Sequence, residues 1–77
     1  MRSGTTLHRE RAFISVHRNN DGSPGWTWEV WRATYRGRNR IVGRSEFAIG
    51  DLVARGASRI NRLAWIQAKL HADRVCP

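Results

Sequence analysis

The sequence predicts an α+β domain, in which a three-stranded antiparallel sheet is followed by one C-terminal helix packed on one face (βββα). The main observation is a change of periodicity: apolar residues alternate with a period of two up to about residue 48, and with a helical period up to residue 72. A chain of 77 residues is also the right size for one small domain. We therefore expect a flexible tail over residues 1–9, a single domain over 10–72 and a C-terminal tail over 73–77.

The three strands are predicted from alternation and from the turn residues between them. The first strand is Glu10–Arg18, and Asn19–Gly25 (NNDGSPG) follows it as a dense turn signal. The second strand is Trp26 to about Arg36, rich in aromatic and β-branched residues. Residues 37–39 offer a tight turn into a third strand, from Ile41 to about Ala48. Short turns between consecutive strands predict an antiparallel meander.

The second strand is aromatic on both of its faces, whereas a single helix can cover only one face of the sheet. One set of alternating residues is Trp26, Trp28 and Val30, and the other is Trp31, Ala33 and Tyr35. We expect Trp28, Val30, Ile14 and Phe47 to face the helix, and Trp31 and Tyr35 to face away from it. The uncovered face then either binds a partner through its aromatic rings or forms a homodimer with a second copy.

The helix is predicted from about Ile49 or Gly50 to Ala72. At 100° per residue, the stripe expected to pack on the sheet is Leu52, Val53, Gly56, Ile60, Leu63, Ala64 and Leu70. A basic ridge is expected on the opposite side, formed by Arg55, Arg59, Arg62 and Lys69. Together with Trp65, these residues are secondary binding candidates.

The charge of the chain points to an acidic partner. Fourteen Lys and Arg residues against six Asp and Glu give a formal net charge of +8. Thirteen of the basic residues are Arg, a preference that the base composition of the genome could produce alone, but the net charge is not explained in that way. No apolar run is long enough to span a membrane and no signal peptide is evident, so we expect a cytoplasmic protein that does not bind membranes.

The strongest functional signal is the segment from Trp26 to Arg44, which holds three of the four Trp residues and five of the thirteen Arg residues. Arg and Trp are enriched at binding hot spots, and they also contact phosphates and stack on bases. The predicted binding residues are Arg32, Arg36, Arg38, Arg40 and Arg44, with Trp31 and Tyr35. The alternative is that the charged hairpin tip is only solvated and protects an edge strand.

Catalytic chemistry and metal binding are not indicated. His8, His17 and His71 lack the spacing of metal ligands, Cys76 is the only cysteine, and no glycine-rich phosphate loop is present. We expect no enzyme activity, no cofactor and no metal.

The predicted layout over residues 10–72 resembles two groups of proteins. In element order and in its basic hairpin, it is similar to sheet-plus-helix DNA readers, including the arm-binding domains of phage integrases. In size, in a compact sheet with one helix and in lacking a catalytic motif, it resembles small phage-encoded inhibitors such as anti-CRISPR proteins. The first resemblance implies DNA binding, and the second implies contact with a host defence complex.

Two hypotheses therefore stand side by side. The first is a non-enzymatic protein that binds DNA, RNA or a nucleoprotein complex through the Arg/Trp hairpin. The second is an inhibitor encoded by a phage or mobile element, which docks the same surface on an acidic part of a host protein complex. Scattered basic residues on the hairpin and the helix weaken the first hypothesis, because a nucleic-acid binder is expected to gather its charge on one surface.

Overall fold

The computed structural model describes residues 4–77 and shows a four-stranded antiparallel sheet with one C-terminal helix. The elements are β1 (Gly4–His8), β2 (Ala12–Arg18), β3 (Trp26–Asn39), β4 (Arg44–Ser58) and α1 (Asn61–Val75). The strands lie in the order β1-β2-β3-β4, so each pairs with its neighbour in sequence. The α+β class, the antiparallel sheet and the C-terminal helix are confirmed, but the expected number of three strands is wrong.

The additional strand is β1, which lies in the segment expected to be a flexible tail. Thr5 and Thr6 are β-branched, and Leu7 pairs with Phe13 of β2. The turn into β2 places Arg9 and Glu10 in the left-handed region, with φ of 51° and 55°. Gly or Asn is expected at such positions, so the sequence carried no turn signal here. Residues 1–3 of the expected tail lie outside the described part of the chain.

The predicted helix over residues 50–58 is wrong, because these residues are the second half of β4. Gly50 and Gly56 show why glycine is required in this strand. A Cβ atom on Gly50 would lie 2.9 Å from the carbonyl oxygen of Arg32, and one on Gly56 would collide with the indole of Trp28. Gly56 therefore allows a side chain of the neighbouring strand to approach closely.

The turn between β3 and β4 also differs from the prediction. It consists of residues 40–43, so β3 reaches Asn39 and β4 begins at Arg44 instead of Ile41. Gly43 supplies the left-handed backbone, with a φ of 70°. The long turn between β2 and β3 is confirmed, and within it the backbone N–H of Asn19 donates to the carbonyl of Gly25 at 3.1 Å.

The core lies between the helix and one face of the sheet. Its buried residues are Ala12, Ile14, Val16, Trp26, Trp28, Val30, Ala64, Ala68, Ala72 and Cys76. The inward assignment of Ile14, Trp28 and Val30 is confirmed. The inward assignment of Phe47 is wrong: it is only half-buried, lies outside this core and contacts the ring of its cross-strand partner Tyr35 edge-on, at 5.7 Å between centroids.

The helix packs on the sheet through alanines, which overturns most of the predicted stripe. Ala64, Ala68 and Ala72 are buried, whereas Leu63 and Leu70 are exposed. The space between the helix and the sheet is already largely filled by Trp26 and Trp28, so small residues are needed for the helix to pack there. Trp28 illustrates this fit: its Nε1 donates to Gln67 Oε1 at 3.1 Å, and its ring stacks on His71 at 4.8 Å.

The helix also extends past the predicted boundary at Ala72, as far as Val75. The backbone N–H of Cys76 donates to the carbonyl of Ala72 at 2.8 Å, and Cys76 is buried. Most of the expected C-terminal tail is therefore part of the folded body. No helix in the described residues is long and apolar enough to cross a membrane.

Candidate functional site

The β3–β4 hairpin extends far beyond the rest of the sheet. The pairing between β2 and β3 ends at Ala12 and Arg32. The N–H of Ala33 still donates to the carbonyl of Arg11 at 3.1 Å, and from Thr34 onward β3 pairs with β4 alone. We call residues 33–49 the arm. Seven residues of β3 lie in it, which at ~3.3 Å per residue gives a projection of about 20 Å. The arm explains the elongated shape of the molecule, 44 × 24 × 18 Å.

The arm has no core of its own. All of its residues are described by the structure, and none of them is buried. Two cross-strand partners near its base, Tyr35 and Phe47, provide its main apolar contact. Shifts in the strand register fall between Trp31 and Ala33 and between Tyr35 and Gly37, and such irregularities bend and twist a β-ribbon. The arm is thus a twisted two-stranded ribbon open to solvent.

The arm and its base carry the predicted basic residues. Between residues 32 and 50 there are five arginines and a single acidic residue, Glu46. All five arginines are exposed: Arg32, Arg36, Arg38, Arg40 and Arg44. The ion pairs within residues 4–77 are His8–Asp73, Arg9–Asp73 and His17–Glu29, so none of the five is paired with a carboxylate. Uncompensated like charges on one narrow ribbon favour binding of an anion.

The register distributes these charges over both faces of the ribbon. Arg38 is the cross-strand partner of Ser45, two residues from Phe47 on β4, so Arg38 shares a face with Tyr35 and Phe47. Arg44 is the partner of Asn39 and lies on the opposite face. A partner that lies against both faces of the arm can therefore be contacted by guanidinium groups on each face.

The tip of the arm is a hydrogen-bonded turn. The Oδ1 of Asn39 accepts from the backbone N–H groups of Ile41 at 2.9 Å and Val42 at 3.2 Å. The N–H of Gly43 donates to the carbonyl of Asn39 at 2.8 Å, and Arg38 Nη2 donates to the carbonyl of Gly43 at 3.0 Å. The tip therefore has a defined shape, with Ile41 and Val42 at its end.

The two predicted aromatic residues lie in different environments. Tyr35 is 59% exposed on the arm. Trp31 lies on the face away from the helix, as expected, but it is half-buried in a row of cross-strand neighbours with Leu7, Phe13 and Leu52. Tyr35 is thus available for contact with a partner, whereas much of Trp31 is already packed.

A groove at the base of the arm adds two residues that the sequence did not single out. Arg9 and Arg11 line it together with Arg32, Tyr35 and Phe47, around a cavity of about 540 Å³, and one acidic residue, Glu10, lines it as well. No pattern in the sequence indicated Arg9 or Arg11, because they reach the groove through the β1–β2 turn. Arg9 also lies 3.4 Å from Asp73, which accepts a hydrogen bond from His8 Nε2 at 2.8 Å. That hydrogen bond, with a smaller contribution from Arg9, lowers the pKa of the Asp73 carboxyl below its usual value of 3.8.

The secondary candidates do not form the predicted basic ridge. Arg55 lies on β4 opposite Glu29, and Arg59 lies in the connection to the helix. Arg62 and Lys69 lie on α1 and line a second groove with Trp65. The Nε1 of Trp65 is buried and has no hydrogen-bond partner in the described part of the chain.

The outer face of α1 is apolar as well as basic. Leu63, Ile66 and Leu70 are all exposed there. The helix thus turns its alanines toward the core and its larger aliphatic side chains toward solvent. The sequence-based stripe contained Leu63 and Leu70, but with the opposite orientation.

The histidines have structural partners. His8 binds Asp73, the Nε2 of His17 lies 3.3 Å from Glu29 Oε1, and His71 stacks on Trp28. Over the residues that the structure describes, no three His, Cys, Asp or Glu side chains are grouped as metal ligands would be.

Comparison with protein-family models, curated proteins and solved structures found no match for this chain.

Proposed function

We propose that the protein binds nucleic acid through the arm, and that duplex DNA is the class of nucleic acid that the arm fits best. The observation that carries this proposal is a projecting two-stranded ribbon with five exposed arginines, none paired with a carboxylate in residues 4–77. Guanidinium groups bind phosphate through bidentate hydrogen bonds, and phosphate contacts supply most of the affinity of such proteins.

The shape of the arm favours B-form DNA over double-stranded RNA. β-Strands bind B-DNA in its major or its minor groove. The major groove of A-form RNA is too narrow for side chains to read, and its minor groove is too shallow to enclose a ribbon. A ribbon lying in a groove has a phosphate backbone on each side. Arg38 and Arg44, on opposite faces of the ribbon, are placed to contact both backbones.

Other basic residues extend this surface toward the body of the molecule. Arg32 lies where the arm meets the sheet, and Arg9 and Arg11 line the same groove. Phosphates that continue past the arm would meet this second group of charges. The exposed ring of Tyr35 lies beside them and could contact the sugar or base edge of a nucleotide in the groove.

The test compares two variants that each lose three positive charges. Arg36→Ala/Arg38→Ala/Arg40→Ala removes the charge of the arm, and Arg59→Ala/Arg62→Ala/Lys69→Ala removes the same charge around α1. Binding of a fluorescent duplex is measured by anisotropy between about 50 and 200 mM salt. We expect the arm variant to bind at least about tenfold more weakly, equivalent to ~1.4 kcal/mol. The slope of log affinity against log salt should become shallower by up to ~0.9 for each phosphate that the variant no longer binds.

The α1 variant is the control, and we expect it to bind within about threefold of the parent. Equal reductions of affinity in both variants would show that net charge, not the arm, drives binding. Absence of duplex binding by the parent at about 50 mM salt would refute the proposed function. Circular dichroism of both variants establishes that they are folded.

A second candidate function is a protein-binding inhibitor, and the outer face of α1 favours it. Its exposed aliphatic residues are flanked by Arg62 and Lys69, which suits an acidic protein surface with an apolar centre. In that case the salt dependence of binding should be modest, and Leu63→Asp/Leu70→Asp should abolish binding of the partner while the arm variant retains it.

A further inference from the structure

Two aliphatic side chains occupy the far end of the arm. Ile41 is 95% exposed and Val42 is 58% exposed. They have arginines on both sides in the sequence, with Arg40 before them and Arg44 after Gly43. Single exposed aliphatic residues are common on protein surfaces and need no explanation. An adjacent pair at the end of a projecting, highly charged ribbon is less ordinary.

The formation of the turn does not require these residues. Turns favour Gly, Asn, Asp, Ser and Pro, and β-branched side chains contribute nothing to their geometry. The chain uses such residues in the turn over 19–25, where all of residues 20–24 are exposed and polar, glycine or proline. In the tip, Asn39 and Gly43 already supply the cap and the left-handed backbone.

The tip is held by hydrogen bonds within the chain itself. Asn39 is held at both ends of its side chain, because its Oδ1 accepts from the backbone of Ile41 and Val42 while its Nδ2 donates to Glu46 Oε1 at 3.0 Å. The bond from Arg38 to Gly43 ties the other side of the turn. Ile and Val are themselves stiff at χ1. A rigid apolar group loses little entropy when it inserts into a partner.

On the premise that the arm binds duplex DNA, we propose that Ile41 and Val42 insert from the minor groove as a wedge between adjacent base pairs, and so kink the duplex. Apolar wedges of this kind partly unstack a base step and bend DNA toward the major groove. The bend opens the minor groove around the ribbon, and Arg38, Arg40 and Arg44 are then placed beside the phosphates that flank the opened groove. Pyrimidine–purine steps such as TA unstack most easily, so the site should favour them.

The experiment separates binding from bending. A duplex of about 25 base pairs with a central TA step carries a fluorescent donor and an acceptor at its two ends, so that energy transfer reports the bend. A second duplex carries 2-aminopurine at the central step, and its fluorescence rises when the base is unstacked. Affinity is measured on the same duplexes by anisotropy.

We expect the parent to raise both energy transfer and 2-aminopurine fluorescence. Ile41→Ser/Val42→Ser should abolish both increases, while its affinity stays within about tenfold of the parent, since the arginines remain. The matched control is Ile60→Ser/Val75→Ser, which removes two exposed aliphatic side chains outside the arm and should bend the duplex as the parent does.

The outcomes distinguish this inference from the function on which it depends. Failure of the parent to bind any duplex would remove both. A parent that binds without bending, or a tip variant that bends DNA like the parent, would overturn the wedge and leave DNA binding intact. An apolar tip with flanking charge could also enter a lipid surface. Tighter binding to phosphatidylglycerol vesicles than to DNA, abolished in the tip variant, would overturn the wedge in favour of membrane insertion.

Discussion

At the residue scale, Gly56 shows how one position on β4 determines the packing of the core. The Trp28 indole occupies the space that a Cβ on Gly56 would take, and from there Trp28 reaches Gln67 and His71 on the helix. The register makes Gly56 and Trp28 direct cross-strand partners. Any side chain at residue 56 must push the indole toward α1.

We predict that Gly56→Ala destabilises the protein by ~1 to 3 kcal/mol, the usual cost of overpacking a core. The free energy of unfolding is measured by urea denaturation followed by Trp fluorescence. Ala57→Ser, at the adjacent exposed position of β4, is the control and should change stability by less than ~0.5 kcal/mol. A neutral Gly56→Ala would mean that the indole is free to move.

Asp73 gives a prediction about pH. Its folded-state pKa is lowered, chiefly by the hydrogen bond from His8, so the carboxylate stabilises the fold above the unfolded-state value of about 3.8. That contribution is lost as the pH falls through the lower folded-state pKa. Asp73→Asn should therefore be less stable than the parent near neutral pH, and the difference should shrink below about pH 4. Thermal melts from pH 3 to 7 would contradict this if the two curves stayed parallel.

At the element scale, the sequence predicted β2, β3 and the turn between them, because alternation and turn residues agree over that segment. It did not predict β1, since the left-handed turn at Arg9 and Glu10 uses residues that do not mark turns. It misassigned the second half of β4 because an Ala- and Gly-containing segment fits a helix and a strand about equally well. This segment forms a strand because it pairs with β3, which β4 accompanies along its full length.

The residues of the candidate site were predicted from the sequence, but the shape of the site was not. The arginines and Tyr35 were identified from the Trp26–Arg44 segment. The projection of the arm could not be predicted, because it requires β3 and β4 to extend beyond the end of β2. The predicted second and third strands were both shorter than β3 and β4. The apolar tip was missed for the same reason, since Ile41 was assigned to the third strand.

The next prediction concerns the helix. Its alanine face is buried and its leucine face is exposed, which is the reverse of the expected orientation. Ala68→Leu should destabilise the protein by ~1 to 3 kcal/mol, since the side chain at residue 68 is fully buried against the sheet. Leu63→Ala should cost less than ~1 kcal/mol, because its side chain is 42% exposed. Chemical denaturation of both variants tests the orientation directly. Equal or reversed costs would show that the helix presents its leucines to the core.

At the scale of the whole molecule, the structure consists of a body, which contains the core, and the arm, which contributes no buried residue to it. Every buried residue of the described chain lies between residues 12 and 30 or between 64 and 76. The arm interrupts neither segment, and β1, β2 and the helix-packed half of the hairpin lie outside it. The core and the proposed binding surface are thus located in different parts of the chain, and five of the fourteen Lys and Arg residues lie on the arm or at its base.

This separation leads to the last prediction. Ala33 and Ile49 are cross-strand partners, so residues 34–48 can be replaced by an Asn-Gly turn that closes the shortened hairpin. We expect the armless protein to unfold cooperatively at a temperature within about 5 °C of the parent, because no buried side chain is removed and a cluster of like charges is eliminated. Its affinity for duplex DNA should fall at least as far as that of the triple arginine variant. Loss of the cooperative melting transition would show that the arm supports the core. A stable armless protein that still binds duplex DNA would show that the binding site lies on the body, with Arg9, Arg11 and the α1 residues as the next candidates.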